Sequence, residues 1–153
     1  MKKICRICRI LLVTLLCLVL AGCDTSYAID EYNMDSKIAS RSDHCSIMAS
    51  KKSVFSFSSS FKAKQFAGNT TIYHCAVTKE GLTNITCSLS LEKGVAKLVY
   101  VDNYDTVTTL VECTPDTPAV SVVVPVNVEL GKCRIKLVGY DCENVAAEVE
   151  LEN

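Results

Sequence analysis

The amino-acid sequence predicts an all-β protein, a small antiparallel β-sandwich of the immunoglobulin-like or jelly-roll-like kind. Three observations favour this fold class. Apolar and polar residues alternate in short runs, turn-forming residues separate these runs at regular intervals, and no amphipathic run of helical length lies between them. A small open barrel is the alternative architecture.

The alternation is clearest over residues 85–91, where Ile85, Cys87 and Leu89 are separated by hydroxyl-bearing residues. A period of two predicts a strand with one buried and one solvated face. In chain order, the predicted strands are 55–63, 73–77, 85–91, 95–101, 106–113, 119–130, 133–138 and 145–151. Turn-forming residues occur at 79–81, 92–94, 102–105, 114–118 and 129–132. Pro125 cannot donate a ladder hydrogen bond, so its strand is predicted to lie at an edge, or to bulge or bend there.

Charge is distributed unevenly along the 153 residues. Four basic residues and no acidic residue lie in the first nine positions, which leaves 12 Lys and Arg against 17 Asp and Glu in residues 23–153. A net charge of −5 in that part of the chain argues against a nucleic-acid partner, because phosphate binding needs clustered cations.

The first 22 residues have a charged region followed by an apolar region, which is the order found in a signal peptide. A positive start is followed by 11 mostly aliphatic residues at 10–20, which is too short to span the roughly 30 Å of bilayer hydrocarbon as a stable helix. The next residues, Leu20-Ala21-Gly22-Cys23, resemble the lipobox of bacterial prolipoproteins. The resemblance covers only residues 1–23. It implies that the chain is cleaved before Cys23 and that the Cys23 thiol carries a diacylglycerol, which makes membrane lipid a partner.

Residues 23–43 are predicted to be a lipid-anchored flexible linker, because they are rich in small polar residues and show no sustained apolar periodicity. A short helix within them is compatible with the sequence. The β-sandwich domain is then predicted to cover residues 44–153.

Six cysteines after Cys23 are available for disulfides, which export permits. Cys75 and Cys87 are equidistant from Gly81, so they are predicted to face each other if 75–87 forms a hairpin. The alternative is that these cysteines stay reduced, since Cys75, Cys87 and Cys133 lie on the apolar side of their predicted strands and would pack as small hydrophobic residues.

No catalytic constellation, metal site or cofactor is predicted. The two histidines each precede a cysteine, at His44-Cys45 and His74-Cys75, and neighbouring residues of a strand point to opposite faces. The sequence has no Gly-x-Ser-x-Gly, no His-Glu-x-x-His and no phosphate-binding glycine loop. The most site-like segment is Asp102-Asn103-Tyr104-Asp105, which is interpreted as a plain hairpin turn or as a ligand-contact turn.

These features predict a membrane-anchored extracytoplasmic lipoprotein whose β-sandwich binds a ligand or serves as a scaffold at the cell envelope, without catalysis. Its expected partners are membrane lipid through Cys23 and an envelope protein or glycan. The alternative function is that of an accessory subunit of a transporter or envelope-assembly complex, acting by protein contact. A thiol oxidoreductase is disfavoured, because no Cys-x-x-Cys follows Cys23.

Overall fold

The computed structural model describes residues 23–152, so the predicted signal peptide lies outside the described residues. Within these residues, two helices, α1 (Cys23–Asn33) and α2 (Asp35–Ile38), precede the strands. The strands are β1 (His44–Val54), β2 (Ser58–Val77), β3 (Gly81–Ser90), β4 (Lys93–Val101), β5 (Val107–Cys113), β6 (Ala119–Val128) and β7 (Gly131–Leu151). Every strand pairing is antiparallel, which confirms the predicted all-β fold. None of the helices in residues 23–152 has the length and apolar character needed to cross a membrane.

The seven strands form one continuous sheet that folds into the two layers of a sandwich. The first layer consists of β5, β4, residues 131–143 of β7 and residues 68–77 of β2. The second layer consists of β6, β3, residues 145–151 of β7, residues 58–66 of β2, and β1. The long strands β2 and β7 therefore belong to both layers and join them.

The bends in these long strands have local causes. The β2–β7 register shifts between Phe66 and Gly68, and Gly68 has a φ of 105° at a point where a Cβ would collide with the backbone of His44. On β7, Asp141 and Asn144 have φ values of 53° and 50°, which Asp and Asn adopt more easily than most residues. These bends explain why the sequence predicted two short strands in place of β2 and two in place of β7.

One apolar core fills the space between the layers. The predicted inward side chains of 85–91 are buried, with Ile85 and Cys87 fully inaccessible to solvent. Ile135 and Leu137 of the first layer and Val145, Ala147 and Val149 of the second complete the centre of this core. Of the alternatives predicted from Pro125, the structure shows the edge position, because β6 pairs only with β3 among the described strands.

Residues 23–43 differ from the flexible linker predicted for them. They form α1 and α2, which pack against the outer face of the first layer through a second apolar cluster. The cluster consists of Tyr32, Ile38, Ala39, Val99, Val101 and Val138. The prediction was wrong because it considered only apolar periodicity, whereas polar contacts hold much of this segment to the sheet.

Candidate ligand site at the open end of the sandwich

The predicted ligand-contact turn connects β4 to β5 and is held by its own carboxylates. Asp102 Oδ1 accepts hydrogen bonds of 2.8 Å from the backbone N–H groups of Tyr104 and Thr106. Asp105 Oδ1 accepts a 2.7 Å bond from Arg134 Nη2, and this bond and the Arg134 charge lower the pKa of Asp105. Tyr104 extends into solvent, while Asn103 lines a groove described below.

The disulfide joins Cys75 to Cys133, which corrects the predicted pairing of Cys75 with Cys87. Cys75 and Cys133 are register partners on β2 and β7, with their Cα atoms 5.1 Å apart. Residues 75–87 do not form a hairpin, because β7 lies between β2 and β3 in the sheet. The chain instead crosses from the first layer to the second at residues 78–80.

The other buried cysteines are thiols that pack in the core. Burial raises the pKa of Cys87 to about 11 and that of Cys142 to about 12. Burial also raises the pKa of Cys113. Since the thiolate is the reactive form, burial and the raised pKa lower the reactivity of these three thiols at neutral pH. Cys45 is an exposed free thiol on the edge strand β1.

An end pocket of about 360 Å³ lies at the open end of the sandwich, where residues from both ends of β7 meet. Its wall includes Phe57, Tyr73, Tyr100, Cys133 and Leu151. The Tyr73 hydroxyl donates a 2.6 Å bond to the carbonyl oxygen of Ser56. Phe57 is half-exposed at the rim, so the pocket combines an accessible ring with a fixed aromatic wall.

Tyr100 is the unusual member of this wall. The residue is only 2% exposed, and its buried hydroxyl has no hydrogen-bond partner in the part of the chain that the structure describes. Burial raises the pKa of this hydroxyl, and the charges of Asp102 and Glu129 raise it further, so the group stays protonated. Buried hydroxyls normally have partners. Tyr100 thus lines the end pocket, and its neutral hydroxyl lacks the partner that buried hydroxyls normally have.

A larger groove of about 770 Å³ adjoins the end pocket on the outer side of the sheet. We call it the basic groove; its lining consists of Arg41, His74, Cys75, Ala76, Asn103, Lys132, Cys133 and Arg134. The groove and the end pocket share residues 74–76 and Cys133, so the disulfide lies at their common wall. Arg134 is held by the Asp105 carboxylate and by a 2.7 Å bond to the carbonyl oxygen of Ala39.

Metal-ligating residues do not cluster in the region from 23 to 152. No group of three or more His, Cys, Asp and Glu side chains there is arranged to hold an ion. His74 is instead an exposed residue at the rim of both cavities, and its neighbour Cys75 is in the disulfide.

Two signals in the sequence could have indicated this site. Arg134 and Lys136 occupy alternate positions in an otherwise apolar strand, which marks an outer face with a specific role. Tyr100 lies within a run of apolar residues in β4, between Val99 and Val101, where a buried hydroxyl needs a partner. Phe57 was assigned to a strand and its place at a cavity rim was missed.

No protein-family model matches the sequence, and no curated protein matches it either. Several solved structures are similar in fold. One is a carbohydrate binding module from Cellvibrio mixtus lichenase 5A in complex with cellotriose, with 8% identity, a TM-score of 0.41, and coverage of 72% of this chain and 89% of that chain. Another is a family 29 carbohydrate binding module, with 12% identity, a TM-score of 0.37, and coverage of 72% and 77%.

A third similar structure is an exo-β-1,3-galactanase from Phanerochaete chrysosporium with β-1,3-galactotriose. It has 15% identity and a TM-score of 0.42, and the match covers 72% of this chain but only 27% of the enzyme. At these identities and TM-scores, the similarities concern the fold and not the ligand of this chain.

Proposed function

We propose that this protein is a lipid-anchored extracytoplasmic lipoprotein that binds a small ring-bearing ligand in the end pocket, without catalysing a reaction. The anchor is supported by the charged and apolar regions of the predicted signal peptide and by the lipobox-like residues before Cys23. Two acyl chains on one cysteine hold a protein on a bilayer persistently. The binding domain then works at the membrane surface, on the extracytoplasmic side.

The unpartnered hydroxyl of Tyr100 is the observation that carries the binding role. A buried hydroxyl without a partner costs about 1 to 3 kcal/mol. A ligand oxygen or nitrogen that reaches this hydroxyl from the end pocket would remove that cost. Phe57 and Tyr73 supply aromatic surface on the same wall, which suits a ring such as that of a sugar.

The binding role is tested by two-dimensional amide NMR of residues 23–153, titrated with galactose, galacturonate and benzoate. We expect at least one probe to shift the resonances of Tyr73, Cys75 and Tyr100 together, and Phe57→Ala to weaken that response. Tyr104→Ala is the matched control, since it removes an exposed aromatic ring outside the pocket. Shifts confined to other surfaces, or no shift with any probe, would contradict the proposal.

The anchor is tested by the intact mass of the protein from the membrane fraction of its own host. We expect the mass of residues 23–153 plus lipid, and an unlipidated product from Cys23→Ala. A soluble, unlipidated wild-type protein would refute the anchor and leave a secreted binding domain.

A second candidate function is protein contact through a sheet edge, as in an accessory subunit of an envelope complex. The edge strand β6 has no charged residue and exposes Val120, Val122 and Val123. An open edge of this kind can accept a strand from another protein. A partner that co-purifies at a fixed ratio, and is lost in Val122→Lys but retained in Leu82→Lys, would favour this function over ligand binding.

A further inference from the structure

We infer that the ligand of the end pocket is anionic, with its ring in the pocket and a carboxylate in the basic groove. This inference rests on the proposed function, because it assigns a chemical class to the ligand of that same site. It depends on three features of the described residues: the shared wall of the two cavities, the charge of the groove, and the state of Arg134.

The shared wall makes the two cavities one extended site. Side chains alternate at the end of β2, so Tyr73 and Cys75 face the core side while His74 and Ala76 face outward. Residues 74–76 and Cys133 border both cavities. A ligand that fills the end pocket and passes this rim therefore enters the basic groove.

The charge of the groove opposes the charge of the domain. Residues 23–153 carry a net charge of −5, yet the groove is lined by Arg41, Lys132 and Arg134 and by no acidic residue. Asp105 approaches from outside the lining and pairs with Arg134 at 2.7 Å. Two positive charges, those of Arg41 and Lys132, remain on the exposed side of the groove. A local excess of this kind in an acidic domain attracts an anion.

Arg134 supplies a donor whose position is already set. The residue is 8% exposed, and its Nη2 is held by both Ala39 and Asp105. Its buried Nε–H has no acceptor within residues 23–152. An N–H of a guanidinium forms a short, strong bond with a carboxylate oxygen. Arg134 therefore adds a positive charge of fixed position to the wall of the groove, beside the exposed charges of Arg41 and Lys132.

The volumes argue against a small inorganic ion as the occupant. The pocket of about 360 Å³ and the groove of about 770 Å³ are in the size range of small-molecule sites. A ring with an attached carboxylate would place its ring in the end pocket and its carboxylate in the basic groove. Acidic saccharides and aromatic acids share this chemistry.

The test is isothermal titration calorimetry with two matched pairs of probes at low salt. Trigalacturonate is compared with galactotriose, and 2-naphthoate with 2-naphthalenemethanol, so each pair differs mainly in the carboxylates. We expect the charged member of at least one pair to bind about 10-fold more tightly, with its advantage reduced at high salt. The pair that responds distinguishes a saccharide from an aromatic acid.

Variants assign the effect to the two cavities. Arg41→Ala combined with Lys132→Ala should weaken the charged probe about 10-fold and leave the neutral probe unchanged. Lys51→Ala, which removes an exposed lysine of β1 outside both cavities, should change neither probe. Phe57→Ala should weaken the charged and neutral probes alike.

Each result decides a separate claim. Equal binding of charged and neutral probes, weakened by Phe57→Ala but not by the Arg41 and Lys132 changes, would overturn the inference and leave the proposed function intact. Binding that Phe57→Ala does not weaken, or no binding by any of the four probes, would overturn both the inference and the proposed function.

Discussion

The outer faces of the two layers differ in what covers them, although β7 contributes residues to both. In the first layer, Arg134 and Lys136 of β7 are buried beneath residues 23–43. In the second layer, Glu148 and Glu150 of the same strand point to an open face. All four residues occupy outward positions of β7, so a charged residue at an outward position is not by itself evidence that the position is exposed to solvent.

Polar contacts explain how the covered face tolerates buried charge. Lys136, which is inaccessible to solvent, donates a 2.9 Å bond from Nζ to the carbonyl oxygen of Ser40 and lies 3.4 Å from Asp43 Oδ1. Asp43 also accepts a 2.8 Å bond from Thr71. Earlier in the segment, Glu31 is buried and accepts a bond from Asn69 of β2. Buried charges need such partners, and the N-terminal segment and β2 supply them.

The open face carries a different kind of surface. Hydroxyl groups of Ser60, Thr86 and Ser88 lie beside Glu148 and Glu150 around a shallow cavity of about 320 Å³. The side chains of Glu148 and Glu150 are exposed. Water can therefore solvate the carboxylates, and few of their contacts contribute to stability.

The largest expected effect comes from Ile38→Ala. Ile38 is fully buried between the N-terminal segment and the first layer, so its truncation should cost about 3 kcal/mol and lower Tm by roughly 10 °C. Ile29→Ala makes the same chemical change at an exposed position of α1 and should cost less than about 0.5 kcal/mol. Equal, small effects in thermal unfolding would mean that the segment is not part of the folded domain.

Asp43→Asn should have the next largest effect. The change removes the carboxylate that faces the buried Lys136, and we expect a loss of about 1 to 2 kcal/mol, because Asp43 itself is partly exposed. Denaturant unfolding measures this loss. The control is Asp30→Asn, which disrupts an exposed ion pair with Lys37 and should change stability by no more than about 0.5 kcal/mol. Similar losses in the two variants would count against a specific role for the Asp43 contacts.

The same carboxylate predicts a pH dependence. Burial raises the pKa of Asp43, but hydrogen bonds from Thr71 and the charge of Lys136 outweigh burial and hold it below its ordinary value. As pH falls below about 4, the unfolded chain takes up the proton first. The stability from Asp43 should thus be present above this pH and be lost as pH falls through the lowered pKa. Tm measured from pH 6 to pH 2.5 should fall less in Asp43→Asn than in the wild type; parallel curves would contradict this assignment.

The smallest effect is expected on the open face. Glu148→Gln should change the free energy of unfolding by no more than about 0.5 kcal/mol, because the side chain is solvated. A loss as large as that of Asp43→Asn would show that the open face also has a structural partner, and the contrast between the two faces would fail.

Local patterns in the sequence determined much of the sheet. Alternation over 85–91 and 145–151 correctly assigned the inward residues of β3 and β7, and Pro125 correctly placed β6 at an edge. The strand β1 was missed because ten of its eleven residues are exposed, so no apolar face marks it. In the same way, residues 23–43 were mistaken for a linker, because buried Glu31 has the same appearance in a sequence as a solvated carboxylate.

The candidate site was decided by tertiary structure. Cys75 meets Cys133, 58 residues away, because β2 pairs with β7 along its length while β3 lies in the other layer. The bends in β2 and β7 bring Tyr73 and Tyr100 together with Leu151 around one pocket. Side-chain period and turn chemistry are properties of a few consecutive residues, so the sequence predicts them. The neighbours of a strand and the partner of a buried hydroxyl depend on contacts between distant segments, which only the folded chain brings together.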